Sequence, residues 1–167
     1  MLVLVGPPGA GKTTVGQLVA DRLGVSLRDT DADVEVAVGA PVADIFVDHG
    51  EDRFRAAERA AVRRALAEHR GVVAVGGGAV LDPATRALLR GHRVVFLTVG
   101  LADAVRRLGL ARDRPVALGS PRAELLALLR DREPLYTEVA DSTVDTGGRT
   151  PDEVTAAVLA ARPEVGG

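Results

Sequence analysis

The sequence predicts an α/β fold, a three-layer sandwich in which a parallel sheet lies between helices. Three features lead there: short, nearly continuous β-branched runs, longer stretches of helical periodicity between them, and a glycine-rich turn joining the first run to the first helix. LVLVG (2–6), VVAVG (72–76) and RVVFLTV (93–99) do not alternate apolar with polar, which suits strands covered on both faces. VSLRD (25–29) and STVDT (142–146) are weaker strand candidates. Helices are expected at about 12–23, 31–38, 42–48, 51–69, 83–90, 102–109, 123–132 and 151–161. Asp82 before Pro83 and Thr150 before Pro151 each set a capping oxygen ahead of a proline at the first helical position. Strands separated by helices imply parallel pairing through right-handed crossovers.

A chain of 167 residues fits one domain, expected here over 1–167. Aromatic residues make up 2% of it, too few for base-stacking platforms, and a net charge of −2 lacks the basic footprint of a nucleic-acid binder. With no cysteine, disulfides and thiolate metal sites are excluded. No apolar run approaches the roughly 20 residues that span a bilayer. MLVLVGPPG has neither the basic start nor the cleavage site of a signal peptide, so a soluble cytoplasmic protein is expected. The three histidines are dispersed in sequence and are not expected to bind metal. Of the 21 Lys and Arg residues only Lys12 is a lysine, retained inside the glycine-rich segment where a compact charge is useful.

That segment, Gly6-Pro7-Pro8-Gly9-Ala10-Gly11-Lys12-Thr13, matches G-x-x-x-x-G-K-[ST] between a buried strand and an amphipathic helix. Glycines let backbone N–H groups turn in around phosphate oxygens, and the helix N-terminus adds partial positive charge. Gly9, Ala10, Gly11, Lys12, Thr13 and Thr14 are the expected nucleotide-phosphate site, with Lys12 on the β- and γ-phosphates and the Thr13 hydroxyl on Mg²⁺. A GTPase would need a second lysine in N/T-K-x-D to read guanine, and none exists. A motor or translocase would need more chain. Small phosphotransferases remain, and these must also hold an acceptor.

Three acids follow in DTDAD (29–33). A calcium loop is excluded, because the glycine and glutamate it needs are replaced by Val34 and Ala40. The acids either manage a magnesium ion and a hydroxyl substrate or form a solvated turn into a helix. Asp29 ends a strand at the sheet edge where ligands bind, placed to hold a magnesium-bound water beside Thr13. Asp31 is placed to accept a proton or hydrogen bond from an attacking hydroxyl, while Asp33 suits the first turn of the next helix. In DRFRAAER (52–59), Arg55 and Glu58 are three apart on one helix face. Gly76, Gly77 and Gly78 after a buried strand are either a strained turn or a floor of bare backbone for a ligand, and the floor is the reading adopted. GLARDRPVALGSPR (109–122) has no periodicity and reads as a surface loop or a mobile lid.

In order, GPPGAGKTT, D-T-D (29–31), F-R-x-x-E (54–58), G-G-G-A (76–79), R-P (114–115) and R-E-P-L-Y (132–136) resemble shikimate kinase over nearly the whole chain. The resemblance implies a five-stranded parallel sheet with a lid over about 109–122, of the nucleoside-monophosphate-kinase type. It implies transfer of the γ-phosphoryl of MgATP to the 3-hydroxyl of shikimate, in the route to aromatic amino acids. Asp31 would bind and deprotonate that hydroxyl, Arg55 and Arg132 would grip the carboxylate, and Gly76, Gly77 and Gly78 would contact the ring beside Phe54. Lys12 and the lid arginine Arg114 would act on the transferring phosphate, with Arg107 and Arg149 lining the adenine site. Mg²⁺ would be the one metal, ATP and shikimate the partners without nucleic acid or membrane, and the chain a monomer.

Two details depart from the family pattern. RPVALG follows where two leucines are common after Arg-Pro, and GKTT replaces GKST while keeping the metal-binding hydroxyl. The rivals are a kinase of another small metabolite, such as gluconate, and a nucleotide-binding module without catalysis. Convergence of Arg55 and Arg132 on one carboxylate-sized pocket beside Asp31 separates the first rival from the resemblance.

Overall fold

The computed structural model describes residues 1–110 and 120–161. Five parallel strands form one sheet in the order β2-β3-β1-β4-β5: β1 Leu2–Val5, β2 Leu27–Asp29, β3 Val72–Ala74, β4 Arg93–Thr98 and β5 Ser142–Asp145. Among the described residues the helices are α1 Lys12–Leu23, α2 Thr30–Val38, α3 Val42–His49, α4 Glu51–Glu68, α5 Pro83–Leu89, α6 Leu101–Arg107, α7 Pro121–Val139 and α8 Pro151–Ala160, with a 3-10 turn at Ala79–Leu81. The expected sandwich is therefore the observed one. Asp82 accepts from the Ala84 N–H at 2.8 Å, and Thr150 and Glu153 form a reciprocal capping box.

Alternation along the strands divides the core in two. Leu2 and Leu4 of β1 point with Val95 and Leu97 toward α1, α6 and α8, while Val3 and Val5 point with Val94 and Phe96 toward α4, α5 and the end of α7. Both faces are covered, so the central strands read as unbroken apolar runs. A third cluster, Val34, Ile45, Phe54 and Ala61, packs α2, α3 and α4 together beyond the sheet edge. That small cluster supplies Phe54 to the wall of a pocket shared with Arg55 and Arg132.

One helix differs from expectation. The segment expected over 123–132 extends over Pro121–Val139 and runs through Pro134. An interior proline removes a helical hydrogen bond and crowds the carbonyl one turn back, at a cost of about 3 kcal/mol. The turn beyond it buries Tyr136 and Val139 against Phe96 and its neighbours, and burying two such side chains returns roughly 1.5–3 kcal/mol each. Burial outweighs the local penalty, so the helix continues. Pro134 is exposed, and Pro134→Ala is expected to raise stability by about 1–3 kcal/mol in urea unfolding, since it restores the missing N–H without disturbing a packed surface.

Candidate active site

The turn between β1 and α1 is built on left-handed glycines, Gly9 at φ 82° and Gly11 at φ 87°, which lets it wrap around a cavity and deliver Lys12 to the first turn of α1. Lys12 Nζ curls back over the loop, donating to the carbonyls of Gly6 at 2.7 Å and Pro7 at 3.1 Å. Burial pushes its ammonium down to about 8 against the opposing pull of Asp31 and Asp29. The cavity above, about 400 Å³, is lined by Gly9, Gly11, Lys12, Thr13 and Thr14 together with Asp29 and Asp31. Ala10 lies in the core beneath.

Asp29 closes one side of that cavity. Its Oδ2 accepts from the Thr13 hydroxyl at 2.5 Å, and its Oδ1 accepts from the Asp31 N–H at 2.9 Å, which caps α2. Among the described residues no three His, Asp or Glu side chains form a ready-made metal cage. Two hard oxygens at Thr13 and Asp29 fit instead an ion such as Mg²⁺, which keeps waters and takes its other ligands from a polyphosphate.

None of Gly76, Gly77 and Gly78 has a left-handed φ, so the strained-turn reading falls. Their need is for space. A Cβ on Gly76 would stand 2.4 Å from Asp31 Oδ1, and one on Gly78 would stand 1.9 Å from Arg55 Nη1. The floor thus meets the side chains of Asp31 and Arg55 directly. It is tied down by Thr30, fully buried, whose Oγ1 accepts from the Gly76 N–H at 3.0 Å. Burial, then the neighbouring Asp29 carboxylate, push the Asp31 carboxyl up, with Lys12 opposing.

On the far side of Asp31 a second cavity of about 240 Å³ is lined by Arg55, Arg132, Phe54, Gly77 and Gly78. Arg55 Nη1 donates to Glu58 Oε2 at 2.7 Å, and Glu58 is only 3% exposed. Burial pushes the Glu58 carboxyl up, with Arg55 pulling the other way. The guanidinium also lies over two rings, 5.2 Å from the Phe54 centroid and 5.7 Å from that of Phe46. Its plane is therefore held from the side by a carboxylate and from beneath by aromatic faces. Asp31 borders both cavities, so a donor in one and an acceptor in the other would meet at its carboxylate.

A third cavity of about 300 Å³, continuous with the loop at Gly11 and Thr14, is lined by Arg107, Thr146 and Arg149. Arg107 donates to the Gly9 carbonyl at 3.1 Å and to both oxygens of Thr146, at 3.0 and 2.9 Å. Arg149 donates to the Asp145 carbonyl at 3.2 Å. Arg114 and most of the expected lid lie within 111–119, outside the described residues.

Asp33 pairs with Arg28 at 2.7 Å and has the helix-start role expected of it. Sequence reasoning missed Thr30 and Phe46 as parts of the site. Thr30 carries a signal, being a hydroxyl at a strand-to-helix junction, but its partner is 46 residues away. Phe46 had none, since its place depends on how α3 packs on α4.

A family model described as shikimate kinase matches residues 8–162. A shikimate kinase of Frankia casuarinae is 65% identical over 161 residues, covering 96% of this chain and 72% of that one. One of Thermobifida fusca is 55% identical over 166 residues, covering 99% and 96%. Among solved structures, a shikimate kinase from Acinetobacter baumannii in complex with shikimate superposes with a TM-score of 0.86 at 34% identity, covering 95% of this chain and 89% of that one.

The raised carboxyl of Asp31 carries a stability consequence. Its folded pKa exceeds the unfolded value, so the native state loses stability as pH rises through the folded pKa and Asp31 ionises. Asp31→Asn is expected to unfold at higher urea than the parent at pH 7. That advantage should shrink on acidification below the ordinary carboxylate range, where both chains carry a neutral group.

Proposed function

The chain belongs to the shikimate kinase family and phosphorylates shikimate with ATP, and from this premise we propose which residues carry out the transfer and how. The observation that carries the reading is the position of Asp31, shared between the phosphate-loop cavity and the pocket on which Arg55 and Arg132 converge. A pocket with two arginines beside a carboxylate suits an anionic acceptor that also offers a hydroxyl.

In this reading the planar forks of Arg55 and Arg132 take the shikimate carboxylate, offsetting the loss of its hydration. Glu58 holds Arg55 in place without facing the acceptor as a free anion. The 3-hydroxyl then points at Asp31, which orients it and accepts its proton as the oxygen attacks the γ-phosphorus. Lys12 leaves the Gly6 and Pro7 carbonyls for the phosphate oxygens, whose charge draws its ammonium back up. Arg107 and Arg149 flank the adenine. From the Arg-Pro motif, Arg114 meets the transferring phosphate as an arginine finger. Thr13, and Asp29 through a water, would hold Mg²⁺, which when bound neutralises charge on the polyphosphate. Positioning and charge stabilisation supply most of the acceleration.

The reaction takes place in one kinase domain acting as a cytoplasmic monomer. Among the described residues no helix is long and apolar enough to cross a membrane. Gluconate offers Arg55 and Arg132 the same single carboxylate, so the difference lies in the rest of the molecule: its open chain lacks the ring that suits the glycine floor and Phe54.

The test is ADP release with MgATP and shikimate beside gluconate and a no-acceptor control. Turnover with shikimate alone is expected; ATP binding without shikimate-dependent turnover would remove the acceptor assignment. In the same assay Asp31→Ala is expected to lower transfer by about 10²–10⁴. Its affinity for ATP should change little, and near-normal transfer would take Asp31 out of the mechanism.

A further inference from the structure

Tyr136 has no part in the transfer as described, yet its hydroxyl reaches the acceptor floor. It lies one turn beyond Arg132 on α7, so the two side chains leave the same helix face. The residue is 1% exposed, and its ring packs on Phe96 with centroids 5.0 Å apart. Packing alone would be met by phenylalanine. The hydroxyl does something more: Oη donates to the Gly77 carbonyl at 2.6 Å. From another side Gly77 is hemmed by the phosphate loop, since a Cβ there would stand 3.1 Å from Pro8 Cδ and 3.3 Å from the Gly6 carbonyl. The Gly77 peptide is thus held between the donor loop and α7.

Three glycines in a row have no side chains to anchor them and lose more backbone freedom on ordering than any other residues. An outside hydrogen bond is the available restraint. We propose that Tyr136 is a positioning residue for the acceptor: its hydroxyl ties α7 to the Gly77 carbonyl, so that Arg132 and the floor beneath Asp31 and Arg55 keep a fixed separation. The inference rests on the acceptor pocket assigned above. Burial pushes the Tyr136 hydroxyl up to about 12, so it stays a donor throughout the range in which the enzyme is assayed.

A neutral buried hydrogen bond is worth about threefold to tenfold in an equilibrium constant. Tyr136→Phe keeps the ring and removes the hydroxyl, and with it both the tie to Gly77 and the hydroxyl's attraction to Arg132. Its KM for shikimate is expected to rise by about that factor while its KM for ATP moves less than about twofold. Val139→Ala, the next buried side chain of the same helix, is the control for simple destabilisation. At an equal or larger loss of urea stability it should leave both KM values near the parent's. A second reading comes from an Arg132→Ala background, where removing the Tyr136 hydroxyl should add less than about twofold, because the separation it holds no longer serves a contact.

An unchanged shikimate KM in Tyr136→Phe overturns the proposal. So does an equal rise in Val139→Ala, or a full multiplicative loss in the double variant. Failure of the parent chain to turn over shikimate would be a separate result, removing the acceptor pocket itself.

Discussion

Asp31 from α2 and Arg55 from α4 rest directly on the peptide that continues β3, where a single methyl group at Gly76 or Gly78 would overlap them. That close approach governs the rest of the site. It brings the carboxylate to the border of two cavities, lets Glu58 and two aromatic rings fix the Arg55 plane, and leaves Arg132 facing Arg55 across a small pocket. Glycine is required there for its lack of a side chain and not for an unusual backbone angle. Thr30 and Tyr136 then hold the bare segment at Gly76 and Gly77, a task no glycine can do for itself.

The charges show what the resting site lacks. Lys12 is pushed down while Asp31 and Glu58 are pushed up, so each of the three is drawn toward its neutral form by burial. The site is short of solvation before its ligands arrive. In the proposed mode of binding, anionic substrates change that balance: phosphates would face Lys12, and a carboxylate would face Arg55 and Arg132. Polar groups already stripped of water and held in place respond to developing charge without reorganising, which is where electrostatic catalysis gains most.

Sheet order explains how two cavities come to flank one carboxylate, that of Asp31. The phosphate loop leaves β1, the glycine floor leaves β3 and the Asp29–Asp31 turn leaves β2, and these three strands are neighbours in the order β2-β3-β1. Their carboxyl ends therefore open on one crevice, as in other open parallel sheets. Arg107 and Thr146 follow β4 and β5, on the other side of β1, so the cavity they line extends away from the pocket of Arg55 and Arg132. The crossover pattern thus sets the cavities on opposite sides of β1, as the proposed division between nucleotide and acceptor requires.

What was legible in the sequence was what depends on short range. The central strands read clearly because both faces are buried, and the phosphate loop reads because its glycines, lysine and threonine are contiguous. VSLRD and STVDT read weakly because β2 and β5 are the sheet edges, half covered and less apolar. The pairing of Arg55 with Glu58 followed from helix spacing, Asp29, Asp31 and the glycine floor followed from their places at or after strand ends, and the family resemblance added Phe54, Arg107, Arg114, Arg132 and Arg149. Tertiary structure alone decided that α7 continues past Pro134, since the burial that outweighs the proline comes from β4 and not from the helix. It alone placed Thr30 under Gly76 and the Tyr136 hydroxyl on Gly77, contacts between residues far apart in the chain, and Phe46 under Arg55, a contact set by how α3 packs on α4. Local pattern determines which residues can form an element or a loop; which side chain settles on which bare peptide is determined only when the packed layers bring them together.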